Sequence, residues 1–265
     1  MLTLIEPDWP APDNVRALST TRIGGISRTP YDSLNLALHV GDDAQKVLAN
    51  RQTLVADLGL RHEPLWLNQQ HTTELVYFGE TCLEKEQVPP VADACWSDRQ
   101  DRACVVMTAD CMPILLCDRA GTWVAAIHAG WKGLLDGIVE SSLQQILKQK
   151  KTAPNNVLAW VGPSISQANF EVGVEVREAF VGKHAFAADY FQAETGKEGK
   201  YLADLGGIVQ RILQLHGVEQ ITQSGLCTYA EPQRFYSYRY ACHYPASEND
   251  FGRTGRIASL IWLAD

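Results

Sequence analysis

The stretch from Met107 to Gly133, M-T-A-D-C-M-P-I-L-L-C-D-R-A-G-T-W-V-A-A-I-H-A-G-W-K-G, constrains the chain more than any other. Pro113–Cys117 is a short apolar run, Asp118-Arg-Ala-Gly121 is turn-forming, and Thr122–Ile127 is a second run rich in β-formers. The order predicts strand, tight turn, strand, then the start of a helix. Antiparallel partners face each other across the ladder, so the ends remote from the turn meet at one sheet edge. Those ends carry Cys111 and His128, which the hairpin therefore makes neighbours. Ala109, Ala129, Gly130 and Gly133 surround them, so another group can approach the backbone closely.

Two chemistries use a Cys beside a His. The imidazole can take the thiol proton so that the thiolate attacks a carbonyl. Alternatively, thiolate and imidazole together bind a borderline metal, commonly zinc. The plain structural alternative is a buried thiol and a His satisfied by a backbone carbonyl. Asp110 and Lys132 in the flanks weigh against it, since charges are costly beside a closed core unless they are used.

The 265 residues, 46% of them hydrophobic, suffice for a large core, and one α/β domain over residues 1–265 is expected. No apolar run approaches the length of a membrane span. The N-terminus lacks a basic region followed by a long apolar stretch, so no secretory signal is read. Seven scattered cysteines do not make a disulfide framework, and a cytoplasmic location is the expectation. A net charge of −8 argues against a general nucleic-acid surface.

Along the chain, Val15–Arg22 reads as a strand, followed by the loop Arg22-Ile-Gly-Gly-Ile-Ser-Arg28. Such a loop can cradle an anion, although most are only turns. Residues 33–38 alternate like a strand, and 43–58 have helical spacing stopped by Gly59. Asn68-Gln-Gln-His71 is a polar cluster between two apolar runs, and 79–92 reads as an exposed loop. The strand Ala103–Met107 precedes the hairpin. A helix through Ile138, Val139, Leu143 and Ile146 follows it, ending in a basic turn that suits the helix dipole. Asn156–Val161 is a strand, 174–180 and 201–215 are helical, and Ile257–Leu263 is a last strand. Tyr229, Phe235, Tyr236 and Tyr238 could stack on a base, but such residues are more often core. His39, His62, His184, His216 and His243 have no supporting constellation and are read as structural. There is no dinucleotide-binding glycine motif, Walker A loop, H-E-x-x-H, G-x-S-x-G or zinc-deaminase pattern, and no H-x-H pair of the multicopper oxidases.

The ordered set S-T-T-R-I-G-G-I-S, Y-D-S-L-N-L, W-L-N-Q-Q-H, A-D-A, M-T-A-D-C-M-P-I-L, A-A-I-H-A-G-W-K-G, W-V-G-P-S-I, F-E-V-G, F-Y-S-Y-R and T-G-R-I-A-S-L-I-W-L spans essentially the whole chain. It resembles the bacterial polyphenol oxidase or laccase-domain family, also described as purine nucleoside phosphorylase and peptidoglycan editing factor, and most of all its enterobacterial-type members. The resemblance implies mixed sheets layered between helices (α/β/β/α), as in cysteine hydrolases. It implies one zinc held by His71, Cys111 and His128, with a fourth position open as in catalytic sites. These three would be the catalytic residues, and copper is the alternative occupant.

The implied activity is phosphorolysis of adenosine, inosine and S-methyl-5′-thioadenosine to base and (deoxy)ribose 1-phosphate, with adenosine deamination as a side activity. The implied partners are purine nucleosides and phosphate, with no membrane and with the oligomeric state open. Arg22, Lys132 and Arg239 are the candidates to hold phosphate or sugar. The chain departs from the family pattern at Gln70-His71-Thr72, where Val-His-Gly is usual, and at Lys132, where Arg is usual. A third departure is a longer segment over 240–251. Lys keeps the charge but loses the bidentate fork. The competing readings are a laccase-like copper oxidase, a Cys–His amidase acting on peptidoglycan precursors, and a non-catalytic accessory of cell-wall synthesis.

Overall fold

The computed structural model describes residues 2–79, 88–100 and 102–264. Its elements in order are β1 (Leu4–Ile5), β2 (Val15–Thr20), α1 (Ala44–Asp57), β3 (Leu75–Tyr77), β4 (Ala94–Ser97), β5 (Cys104–Thr108), β6 (Met112–Asp118) and β7 (Val124–Ala129). There follow α2 (Trp131–Asp136), α3 (Ile138–Lys150), β8 (Val157–Val161), β9 (Glu171–Gly173), α4 (Val174–Lys183), β10 (Phe191–Ala193), β11 (Lys200–Ala203), α5 (Leu205–Leu215), β12 (Gln220–Gln223), α6 (Tyr238–His243) and β13 (Ile257–Leu263). Most of the loop expected over 79–92 lies outside the described residues.

Two sheets stack face to face, and each has helices on its outer side. One has the order β1-β2-β13-β5, and the other the mixed order β12-β8-β6-β7-β4-β3. Alternate side chains of the strands divide between the two faces. Val15, Val106, Leu115, Val124, Trp160 and Ile261 fill the space between the sheets. The opposite face of the six-stranded sheet, with Ile114, Leu116 and Ile127, packs on Leu143 and Ile146 of α3 and Ile208 and Ile212 of α5. The opposite face of the four-stranded sheet, with Leu18, Val105 and Leu260, packs on Leu54 of α1. This is the expected α/β/β/α stack. A small third sheet has the order β10-β11-β9 and brings Glu171 and Val172 into antiparallel register with Leu202 and Tyr201. No helix among the described residues is long and apolar enough to cross a membrane.

Two local expectations are corrected. Residues 33–38 form no strand. Leu34 and Leu36 are buried, but the backbone bonds a sheet partner would make are taken by side chains: Asn50 Nδ2 donates to the Ser33 and Asn35 carbonyls, and Arg51 Nε to Leu36 O. Alternation alone cannot distinguish a strand from a loop whose bonds are met by amides. The helix expected over 201–215 starts only at Leu205. Asp204 caps it by accepting from Gly207 N at 2.8 Å, while residues 200–203 are strand β11.

Candidate metal centre and its cavity

The hairpin register pairs Met112 with Ala129 and Pro113 with His128. Cys111 therefore leaves β6 opposite the end of β7, as the strand arithmetic requires. His71 reaches the same point from the loop before β3. One ligand atom from each of His71, Cys111 and His128 lies within 4.8 Å of the other two. The two imidazole centroids are 4.9 Å apart, their planes inclined at 57°.

A single carboxylate organises two of the three. Asp93, fully buried just before β4, accepts from His128 Nδ1 at 2.7 Å through Oδ1. The same carboxylate accepts from the backbone N–H groups of Gln70, His71 and Thr72 and from the Thr72 hydroxyl. His71 sits at φ 58°, a left-handed conformation that a non-glycine residue adopts when its surroundings impose it. The Gln69 side chain adds a second clamp: Nε2 donates to Met107 O and Oε1 accepts from Met107 N, both at 2.8 Å. The polar cluster Asn68–His71 is thus a loop positioned by the Gln69 side chain and by its own backbone N–H groups. Asp93 was not singled out from sequence as a site residue. The available signal was a lone acid inside the apolar run Ala92–Trp96.

Cys111 has its own support. Asp110 stands at φ 95° and is held by Thr228 Oγ1 on Oδ1 and Arg239 N on Oδ2, both at 2.7 Å. Gly130 supplies the space. A Cβ there would lie 2.4 Å from His71 Cε1 and 2.9 Å from Cys111 Sγ, so the ligands close over a position only glycine can fill.

The charges follow from this packing. Burial works against the His128 imidazolium, but Cys111 and Asp93 outweigh it and raise its pKa to about 9. Burial and the neighbouring His128 hold His71 below its ordinary value, which favours the neutral ring a metal needs. Burial would raise Asp93, yet its bonds to His128 and Thr72 bring it down to about 2. With Nδ1 of His128 committed to Asp93, Nε2 is the nitrogen left for the site. A carboxylate–His–metal relay has this arrangement. One thiolate and two imidazoles suit zinc or copper and leave further coordination positions open.

The three ligands line a cavity of about 430 Å³, within the range of small-molecule sites. Arg239 lines it as expected, and so do His39 and Arg256, neither of which was expected in a site. Ile165, Phe170 and Leu205 supply an apolar wall, and half-exposed Tyr238 and Trp131 also line it. Arg22 and Lys132 are not brought into this wall. Arg22 is a tie between segments: Nε donates to Asp32 O, Nη1 to Pro232 O, and the guanidinium lies over the Tyr236 ring. Lys132 is exposed on α2 and reaches the site only through its charge on His71. Phe235 and Tyr236 are fully buried core residues, so of the four aromatic candidates only Tyr238 faces the cavity.

A His–Cys–His group that could hold a metal ion, its His128 buried and oriented by a carboxylate, thus stands at the end of a β-hairpin of an α/β/β/α fold and opens onto a cavity of small-molecule size. Residues 16–264 match the family described as multi-copper polyphenol oxidoreductase laccase. The chain belongs to that family. It is 44% identical over 262 residues, 98% of each chain, to a purine nucleoside phosphorylase of Pseudomonas aeruginosa. It is 44% identical over 264 residues, 99% of this chain and 100% of the other, to the purine nucleoside phosphorylase YfiH of Escherichia coli K12. A crystal structure of a Neisseria meningitidis protein superposes with a TM-score of 0.86 at 43% identity, covering 99% of both chains.

Proposed function

We propose that this protein is a zinc-dependent purine nucleoside phosphorylase, acting as one unit over residues 1–265, that cleaves adenosine, inosine and S-methyl-5′-thioadenosine with phosphate and deaminates adenosine as a side reaction. The observation that carries the reading is the opening of His71, Cys111 and His128 onto a cavity that also holds an arginine pair and an apolar wall. Names of relatives 44% identical across the whole chain support the same class. A zinc ion held by these three residues would supply Lewis acidity. In phosphorolysis a phosphate oxygen forms a bond to C1′ while the C1′–N9 bond breaks. Its electron pair leaves on the purine, which takes up a proton at a ring nitrogen. The chain must hold an anion and a neutral nucleoside in register and keep water out. Arg239 provides charge for the first task, while Phe170, Leu205 and Tyr238 provide surface for the second. A thiolate ligand such as Cys111 fits a reducing cytoplasm.

The test is incubation of the metal-loaded protein with adenosine, with and without phosphate, resolving adenine, inosine and hypoxanthine by chromatography. Adenine that requires phosphate and disappears in Cys111→Ala is the expected result. Inosine formed without phosphate would put deamination first. No turnover by a zinc-loaded protein would overturn both nucleoside activities.

A second reading, a Cys–His amidase acting on cell-wall precursors, has one specific observation in its favour. Asp93 orients His128 towards Cys111 as the third member of a catalytic triad does. Amide hydrolysis that rises on metal removal would favour it. A four-copper oxidase is poorly served, because one His–Cys–His group is the only such cluster among the described residues.

A further inference from the structure

We propose that Arg239 and Arg256 form a two-armed clamp for the attacking phosphate, completed by the hydroxyl of Thr108. The proposal rests on the phosphorylase reading for the identity of the anion, and on the following geometry for its place.

Both guanidinium groups line the cavity that the metal ligands share, though one comes from α6 and the other from the segment leading into β13. Each is held in place by its Nη1 alone. In Arg239 this atom donates to Glu171 O at 2.9 Å, and the guanidinium lies over the Phe170 ring. In Arg256 it donates to the carbonyls of Thr254 and Gly255, both at 3.0 Å. Among the described residues, no protein group accepts a hydrogen bond from Nε or Nη2 of either arginine. Two anchored planes with donor edges to spare suit a tetrahedral oxyanion, which guanidinium groups bind in a bidentate manner. Ribose hydroxyls carry no charge and would leave both cations without a counter-ion.

The charge balance points the same way. Neither arginine forms a salt bridge among the described residues. Asp110 is the one carboxylate lining the cavity, and its two oxygens already accept from Thr228 Oγ1 and Arg239 N. Burial draws the Arg256 pKa down, and Cys111 and Asp110 oppose that shift. A cation kept in such a place calls for an anion.

Thr108 supplies an independent sign of a missing ligand. It is 1% exposed, lines the same cavity, and its Oγ1 has no hydrogen-bond partner. Buried hydroxyl groups almost always have one. Because Thr108 lines the cavity that both arginines line, an oxyanion bound in that cavity is the partner we assign to it.

The experiment uses the metal-loaded full chain and two readouts: binding of inorganic phosphate followed by ³¹P NMR titration, and the KM for phosphate against the KM for adenosine. Arg256→Gln is expected to weaken phosphate binding and raise its KM by about 10- to 100-fold, the worth of one charge-assisted contact. The adenosine KM should stay within about threefold. Arg256→Lys, which keeps the charge but loses the fork, should fall between the two and covers the case in which Arg256→Gln does not fold. Thr108→Val should weaken phosphate several-fold. A folded Arg256→Gln or Arg256→Lys protein with wild-type phosphate affinity would overturn the clamp. So would binding of AMP, but not of inorganic phosphate, through Arg256. If the wild type binds phosphate through Arg256 but cleaves no nucleoside, the clamp stands and the phosphorylase reading fails. If cleavage needs phosphate but neither arginine affects its KM, the clamp fails and the phosphorylase reading stands.

Discussion

The metal-ligand end of the cavity hangs on one buried carboxylate, whereas the cationic side is gathered from segments that share no strand. Asp93 accepts from His128 and from three consecutive residues of the His71 loop, and β6 and β7 set Cys111 beside them. His71, Cys111 and His128 are thus all tied to the six-stranded sheet. His39, Arg239 and Arg256 come from a loop before α1, from α6 and from the approach to β13. The two guanidinium groups are anchored on backbone carbonyls, Arg239 on one and Arg256 on two, and Tyr238 beside them is 50% exposed. The first region is tied together by hydrogen bonds that share one carboxylate. The second has no such shared group, and a side held by fewer bonds opens more easily.

The sharpest way to break that distinction is Gly130→Ala. A methyl group there would sit 2.4 Å from the His71 ring and 2.9 Å from Cys111 Sγ, so these two side chains would have to move apart. Metal affinity and nucleoside turnover are expected to fall about 10- to 100-fold, by analogy with the loss of supporting contacts around metal ligands. The melting temperature should change little, because the added methyl meets the site rather than the packed core. Metal content by mass spectrometry and a thermal melt check both halves. Near-native metal content would show that the ligand end is as adaptable as the rim.

How far each region could be read from sequence follows from the same contrast. Cys111 and His128 were legible because a hairpin converts sequence spacing directly into spatial proximity. His71 came only from family resemblance, since its loop joins the site through Asp93, and no local pattern announces a carboxylate that accepts from a distant backbone. The α/β/β/α layering was legible in the same way, from resemblance confirmed by where the apolar faces lie. Arg256 was invisible because its neighbours in the chain, Gly255 and Ile257, say only that a strand is starting. Arg22 misled for the opposite reason. A Gly-Gly loop flanked by arginines looks like an anion cradle, but its first guanidinium closes two loops together through Asp32 and Pro232.

Titration of the ligand end gives a second, smaller effect. In the metal-free protein His128 stays protonated up to about pH 9, so an ion entering the site at neutral pH must displace a proton from it. Apparent metal affinity should therefore rise about tenfold per pH unit up to pH 9 and level off above. The same shift sets a stability term of opposite sense. A raised His128 pKa stabilises the metal-free fold fully below the unfolded value near 6.5, and that contribution is lost as pH rises through 9. Competition with a chromophoric chelator across pH 6–10 measures the first, and melts of the chelated protein measure the second. Asp93→Asn should move the break in the affinity curve to lower pH, because the imidazolium loses a negative partner. A break that stays put would mean that Cys111 alone sets the His128 charge.

The rim should give the smallest effect, and of a different kind. Tyr238 lines the cavity but makes no contact with the three metal ligands through the Asp93 network. Replacing it with Ala removes a half-exposed ring from the place where a planar base could lie. Metal affinity is expected to remain within about twofold, while the nucleoside KM rises several-fold, of the order of one aromatic contact. Tyr238→Phe keeps the ring and should restore the wild-type KM. Full kinetics of both variants beside a metal titration decide the matter. Loss of metal in Tyr238→Ala would mean that the rim and the ligand end are one mechanical unit, and the contrast between fixed and yielding sides of the cavity would no longer hold.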